Sequence, residues 1–280
     1  MAGEKIRTGA TRMILMSAPN GARKMPSDHP ALPITASDIA RTAAEVCEAG
    51  ASMIHVHVRD KAGAHLLDAA AYSQVTQAIR REVGDRLVVQ ITTEAVGRYT
   101  AAEQIKLVRE VRAEAVSLAV REIIPDEEHE AEAAALFNWM LASHVAPQFI
   151  VYDANDLRRF HALRDKGVIP FEEAFLLFVL GRYSQAGTAS ARDLVDFLQV
   201  AQERDIWSVC AFRDLEHKAT VLAAILGGHA RVGFENNTLL PDGTTAENNA
   251  ALVRSAAQEA VRFDRTLATA FEVRQILGMG

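Results

Sequence analysis

A chain of 280 residues, 49% of them apolar, has enough material for a large core, either one α/β barrel or two smaller domains. Its net charge of −6, with lysines and arginines scattered along the chain, leaves no basic face for nucleic acid. Its longest apolar run, "AFLLFVLG" at 174–181, falls far short of the ~20 residues that cross a bilayer. The opening "MAGEKIRTGATRMILMSAP" has early charge but no adequate apolar core before a small-residue cleavage site, so no secretory signal is expected and the cytoplasm is the expected compartment. Cys47 and Cys210 lie far apart without metal or redox spacing and read as reduced core residues.

Short β-rich runs alternate with segments of helical periodicity along the whole chain. "TRMILMSA" (11–18) precedes a helix at 36–50, which Ser37 or Asp38 caps and Gly50 ends. "SMIHVHV" precedes a helix at 68–83, "RLVVQIT" one at 100–112, and "AVSLAV" one at 127–143. In the second half "QFIVYD" precedes 154–166, "AFLLFVL" precedes 190–204, "WSVCAF" precedes 216–226, and "HARVGF" precedes 245–263. Such alternation implies parallel strands joined by helical crossovers, and eight units in about 250 residues match a closed (β/α)8 TIM barrel. An open doubly wound sheet is the alternative, but no GxGxxG follows the first strand. There "APNGARKMP" has one glycine and ends in proline, so no dinucleotide site is expected. No linker or low-complexity tract cuts the chain, and residues 1–280 read as one barrel domain with a helical tail, "TAFEVRQILGMG".

Catalytic residues of such barrels sit at the C-terminal ends of the strands and in the loops that follow. Here those ends carry "APNGAR" (18–23), "HVHVRD" (55–60), "TTEAVGR" (92–98), "VYDAND" (151–156), "GRYSQAG" (181–187), "AFRDLEH" (211–217) and "GFENN" (233–237). Side chains alternate along a strand, so His55, His57 and Arg59 share a face with Met53 while Ile54, Val56 and Val58 take the other. Two same-face imidazoles are either a hydrogen-bonded core pair or two ligands of one divalent ion. A catalytic zinc needs a third protein ligand and an open position, and Glu235, at the end of the eighth strand, is the candidate. Two nitrogens and one oxygen suit Zn²⁺ best, with Mn²⁺, Co²⁺ and Fe²⁺ as alternatives.

Arg231 alternates onto Glu235's face, either as an ion pair inside the barrel or as a group that binds a carboxylate and stabilises negative charge. His229, near the start of that strand, reads as structural, and His217 as a surface residue rather than a proton shuttle. Thr92 and Thr93 end the third strand and satisfy backbone groups or bind a substrate oxygen. Asn20 and Arg23 follow the first strand; an inward Arg23 would select an anionic or polar substrate tail.

Together these blocks resemble the β-keto acid cleavage enzymes. The matching stretches are "APNGAR", "HPALPITASDIARTAAEVCEAGASMIHVHVRD", "VVQITT", "WSVCAF" and "LGGHARVGFENN", which cover almost the whole chain in order. The resemblance implies a zinc-dependent (β/α)8 barrel, forming a homotetramer, that condenses a β-keto acid with acetyl-CoA to release acetoacetate and a new CoA ester. It implies zinc on His55, His57 and Glu235, transition-state stabilisation by Arg231, and substrate contact near Thr92. Three departures stand out. The family's "GLEDN" is here "GFENN", placing Asn236 where an aspartate base is expected. Its "PELE" is "PQFI", with Gln148 and Ile150 where an acid would orient the arginine, and its "TTGG" is "TTEA", adding Glu94. Either Glu94 replaces the lost acid, or the metal site persists with altered chemistry, as another metal-dependent lyase or hydrolase or as a binding protein without turnover.

Overall fold

The computed structural model describes residues 12–182 and 189–279. Parallel strands β1 (Leu15–Ser17), β2 (Met53–Val56), β3 (Val88–Thr92), β4 (Ala115–Ala119), β5 (Ala146–Val151), β6 (Ala174–Leu180), β7 (Asp205–Ala211) and β8 (His229–Val232) form a closed barrel in chain order. Between and after them run α1 (Ala36–Glu48), α2 (Ala69–Val83), α3 (Ala101–Val111), α4 (Glu130–Ala142), α5 (Ala154–Asp165), α6 (Asp193–Leu198), α7 (Leu215–Leu226), α8 (Asn249–Arg262) and α9 (Ala270–Ile276). Among the described residues no helix is long and apolar enough to cross a membrane.

The departures from the sequence pattern have local causes. Thr35, rather than Ser37 or Asp38, caps α1: its hydroxyl accepts the Asp38 N–H and the Asp38 carboxylate accepts the Thr35 N–H, a reciprocal box. The helix expected over 190–204 shrinks to α6. Buried Asp205, bound by Arg164 and His161, also accepts the Gln202 N–H at 2.7 Å and turns the chain into β7. The "AVSLAV" run leaves the sheet after Ala119 and closes a single helical turn, Val120–Ile123. The expected strand through "HVHVRD" stops at Val56, and Val58–Arg59 turn aside to pair antiparallel with His65–Leu66. "HARVGF" likewise ends as strand at Val232, so Glu235 lies on a turn.

Alternation sorts the strand residues onto two surfaces. Outward residues such as Ile54, Val56, Val89, Ile91, Phe149 and Phe178 pack beneath the helices. Inside, three levels stack. The N-terminal end is apolar, with Met16, Met53, Val88 and Phe175 meeting Ala270 and Val273, so the C-terminal helix α9 plugs the barrel floor. A polar middle level holds His55, Gln90, Ser117, Gln148, Ser208 and Arg231, all buried. At the C-terminal end an apolar wall of Ala119, Ile150, Val179 and Cys210 covers one side, with Tyr152 and Phe212 against it. Ile150 belongs to that wall. Phe175→Ala would open a void under the polar level, costing about 3–5 kcal/mol of stability in denaturant unfolding; an unchanged midpoint would remove the floor from the fold's stabilising core.

Candidate metal centre

The centre begins with register. His55 on β2 stands opposite Gln90 on β3, and Arg231 on β8 stands opposite Met16 on β1. His55 continues the strand inward, whereas the His57 peptide is held from outside the sheet. Asn20 donates to the His57 carbonyl at 2.9 Å and accepts its N–H at 3.3 Å. The Asn20 amide is therefore spent on holding His57 and has a positioning role that its place in "APNGAR" did not reveal. The hairpin that follows is closed by Asp60, whose carboxylate accepts the Ala62 and Ala64 N–H groups. Arg59 leaves the histidine face and donates to the carbonyls of Gly21 and Gly63, tying the hairpin to the loop after β1.

Glu235 reaches the histidines by a turn. Its N–H donates to the Ala18 carbonyl at 3.0 Å. Gly233, at φ +141°, lets the chain pass that carbonyl, which a Cβ would approach to 2.5 Å. Buried Glu216 accepts the Gly233 N–H and the Asn237 amide, and Asn249 accepts the Phe234 N–H while donating to the Pro19 carbonyl. Gly21 leaves space for the Glu235 side chain, whose Cγ lies 2.5 Å from where a Cβ would stand.

Three donor atoms converge as a result. His55 Nε2 and His57 Nε2 are 3.0 Å apart, and Glu235 Oε2 lies 3.5 and 3.4 Å from them. Ligands about 2.0–2.1 Å from a tetrahedral ion stand roughly 3.3–3.4 Å from one another, so the spacing fits a single divalent cation. Glu235 Oε2 is buried without a hydrogen-bond partner, a state that costs about 1–3 kcal/mol unless something positive meets it. The other oxygen, Oε1, accepts from Arg231 Nη2 at 3.1 Å. Burial opposes ionisation of Glu235, but the neighbouring charges, led by the Arg231 guanidinium, outweigh it and hold the carboxyl well below its usual value. Burial, then the Arg231 charge, pushes His55 down to about 3, leaving it neutral and able to ligate.

The remaining candidates divide. Glu94 sits at the mouth, Oε2 3.8 Å from His57 Nδ1, and Oε1 accepting from Arg23 at 3.3 Å and Arg182 at 2.5 Å. Burial raises its pKa. The Thr92 hydroxyl accepts the Glu94 N–H and so orients it, whereas the Thr93 hydroxyl is committed to the Ser117 carbonyl. Gln148 is not hydrogen-bonded to Arg231; Cys210 is, accepting from Nη2 at 3.4 Å. Instead Gln148 accepts from Gln90 and donates to Ser208. Asn236 is buried with both amide atoms unpartnered. His229 lies near the floor, accepting the Ile14 N–H, and His217 is half-buried on α7. Of the strand end "GRYSQAG", residues 183–187 lie outside the described residues.

Residues 12–279 match the beta-keto acid cleavage enzyme family. The chain belongs to this family. The family relationship extends to a 3-keto-5-aminohexanoate cleavage enzyme of Fusobacterium nucleatum, 31% identical over 96% of this chain and 98% of the relative. A 3-oxoadipate:acetyl-CoA acetyltransferase of Cupriavidus necator is 26% identical over 95% of this chain and 94% of its own. The solved complex of ObcA with oxaloacetate shares the barrel, with a TM-score of 0.72 at 16% identity over 89% of this chain and 67% of that one. Within this beta-keto acid cleavage enzyme family member, Gln148 and Asn236 are buried and Glu94 nearly so.

Sequence reasoning missed His65, Gln90, Ser208, Glu216 and Arg182. Gln90 and Ser208 carried a signal, each a polar residue inside an otherwise apolar strand run. His65 had a weaker one, the "DKAG" turn that returns the chain beside "HVHVRD".

Burial pushes three histidines, His55, His65 and His229, down to about 3 in the folded chain. These folded values lie below the ordinary 6.5, so on acidification the unfolded chain takes up protons first. Their contribution is complete above 6.5 and is lost as pH falls from 6.5 towards 3, at up to about 1.4 kcal/mol per pH unit for each. Urea unfolding of metal-free protein across that window should show the loss, and His229→Gln should make it shallower. Stability that held constant throughout would contradict the neutral burial of these rings.

Proposed function

We propose that this protein is a zinc-dependent β-keto acid cleavage enzyme, condensing a β-keto acid with acetyl-CoA to give acetoacetate and a new CoA ester. The observation that carries the reading is the buried, partnerless Glu235 Oε2 facing two imidazole nitrogens at ligand spacing, in a chain of this family. His55, His57 and Glu235 would hold zinc, with Mn²⁺, Co²⁺ or Fe²⁺ as substitutes. Zinc, when bound, supplies Lewis acidity towards the keto acid's oxygens. The relatives named for acetyl-CoA chemistry support acetyl-CoA as the co-substrate. The same reading takes the enzyme to be a cytoplasmic homotetramer.

Arg231 is held rigidly between Glu235 and Cys210, and its buried Nε is left without a partner. It stabilises the negative charge that develops as the keto acid loses its carbon-bound proton. A base must take that proton, and an asparagine amide at position 236 does not accept one at neutral pH. Glu94 is the carboxylate available for the task. Its raised pKa makes it a stronger base than a solvated glutamate, and Thr92, Arg23 and Arg182 fix its position. Asn236, with two unpartnered amide atoms, is left to bind the substrate, while Asn20, Thr93 and Gln148 support the site through the bonds they already make.

Acetoacetate formation from a panel of β-keto acids with acetyl-CoA, alongside metal content, tests this. Chelation should abolish turnover and Zn²⁺ should restore it. Glu94→Gln should lower kcat by about 10²–10⁴-fold with metal content intact. One observation favours a second reading, binding without turnover: the neutral Asn236 at the expected base. That reading gains if the parent makes no acetoacetate while Asn236→Asp does.

The mouth also bears on substrate choice. Arg23 and Arg182 share the single Glu94 carboxylate, and the nearby Glu122 carboxyl is pushed up to about 7, chiefly by burial. This favours a keto acid without a cationic tail. Arg23→Glu should shift kcat/KM towards keto acids carrying an amino group, and an unchanged ranking of substrates would sink the idea.

A further inference from the structure

The two imidazoles can ligate an ion only if both Nε2 atoms are free of protons, and each ring has a choice of tautomer. Their neighbours remove that choice. Leu176's backbone carbonyl can only accept, so Ser208 Oγ, 2.9 Å away, donates its single hydrogen there. The Ser208 oxygen then accepts from Gln148 Nε2 at 3.0 Å. Gln148 Oε1 accepts from Gln90 Nε2 at 3.2 Å, and Gln90 Oε1 faces His55 Nδ1 at 2.8 Å. His55 must therefore carry its hydrogen on Nδ1. The direction of every bond follows from the one carbonyl at the far end.

His57 is governed from a second carbonyl. The Glu94 backbone oxygen accepts from His65 Nε2 at 3.0 Å, which leaves His65 Nδ1 as an acceptor facing His57 Nδ1 at 3.4 Å. The Glu94 carboxylate, 3.8 Å from the same His57 nitrogen, is also an acceptor. Both conditions put a hydrogen on His57 Nδ1, and in the metal-free protein the hydrogen that joins the two Nε2 atoms, 3.0 Å apart, is the one a bound ion would displace.

We infer that Gln90, Gln148 and Ser208 on one side, and His65 on the other, are positioning residues that hold a hydrogen on Nδ1 of both histidines and so turn both Nε2 atoms to the candidate ion. Gln148 and Ser208 never touch the donor atoms; they act through Gln90, which without them is free to turn its amide and offer Nε2 to His55. That turn would force the His55 hydrogen onto Nε2 and remove a ligand. The role in metal binding rests on the metal reading above, whereas the tautomer itself does not.

The experiment uses the full chain with labelled histidine. Nitrogen NMR of metal-free parent protein should show a hydrogen on Nδ1 of both His55 and His57. Gln148→Leu and Ser208→Ala should mix the His55 tautomers, and His65→Leu those of His57. Each should weaken Zn²⁺ or Co²⁺ binding, measured by chelator competition, by about 10–100-fold. Ser208→Thr keeps the hydroxyl and should restore both readouts, which a purely structural loss of packing would not produce. A His55 without a hydrogen on Nδ1 in the parent would overturn the inference, as would Gln148→Leu with tautomer and affinity unchanged. A parent with both Nδ1 hydrogens in place that binds neither ion would overturn the zinc reading and leave the positioning role standing.

Discussion

The structure depends on keeping one ionised carboxylate, Glu235, buried in the mouth of the barrel. A buried charge is tolerated only when paired, and Arg231 supplies a partner for one of the two oxygens. The rest of the rim is built around holding the other. Ala18 receives the Glu235 N–H, Gly21 leaves space for the side chain, Gly233 lets the turn pass the end of β1, and Glu216 and Asn249 fix the turn's backbone from behind. Burial pushes Glu216 itself up to about 8, which keeps it from adding a second fixed charge below that pH.

The same economy of charge explains the middle level of the barrel. Polar side chains in an interior are destabilising unless each finds a partner, and here Gln90, Gln148 and Ser208 pass hydrogen bonds from β3 to β5 to β7 and end on a carbonyl of β6. No member of the row is charged. It crosses beneath the candidate metal centre apart from the Arg231–Glu235 pair, and the apolar floor sealed by α9 isolates it from water below.

Much of this was legible in the sequence because periodicity and position are local properties. The alternation of apolar runs and helical stretches set eight strand–helix units, and strand-end position singled out His55, His57, Glu235 and Glu94 from the other titratable residues. What stayed hidden depends on side chains meeting across the barrel. Gln148 read as a missing acid beside Arg231, yet register places it opposite Ser117 and in reach of Gln90, so it serves a different strand. Asn20 read as a substrate contact, yet its amide holds the His57 peptide. Glu235 was placed beside the histidines by a continuing strand; it arrives there through a turn, because the chain leaves the sheet at Val232. The alternation rule reached the right neighbourhood by a different backbone path.

Glutamine and asparagine at 148 and 236 thus have a common physical consequence. Each is a neutral amide where a carboxylate would bring a second buried negative charge into the barrel. With those acids absent, Arg231 has Glu235 as its carboxylate partner, and the bare Oε2 faces the imidazoles without a rival anion beside it. The nearest other acid, Glu94, is held off towards the mouth by Arg23 and Arg182. Under the proposed loading, the centre therefore carries an excess of positive charge that only an anionic ligand can balance, which suits the carboxylate and developing enolate of a β-keto acid. Under the same proposal the cost falls on proton transfer, since Glu94 would accept the proton from the rim rather than from the turn that bears Glu235.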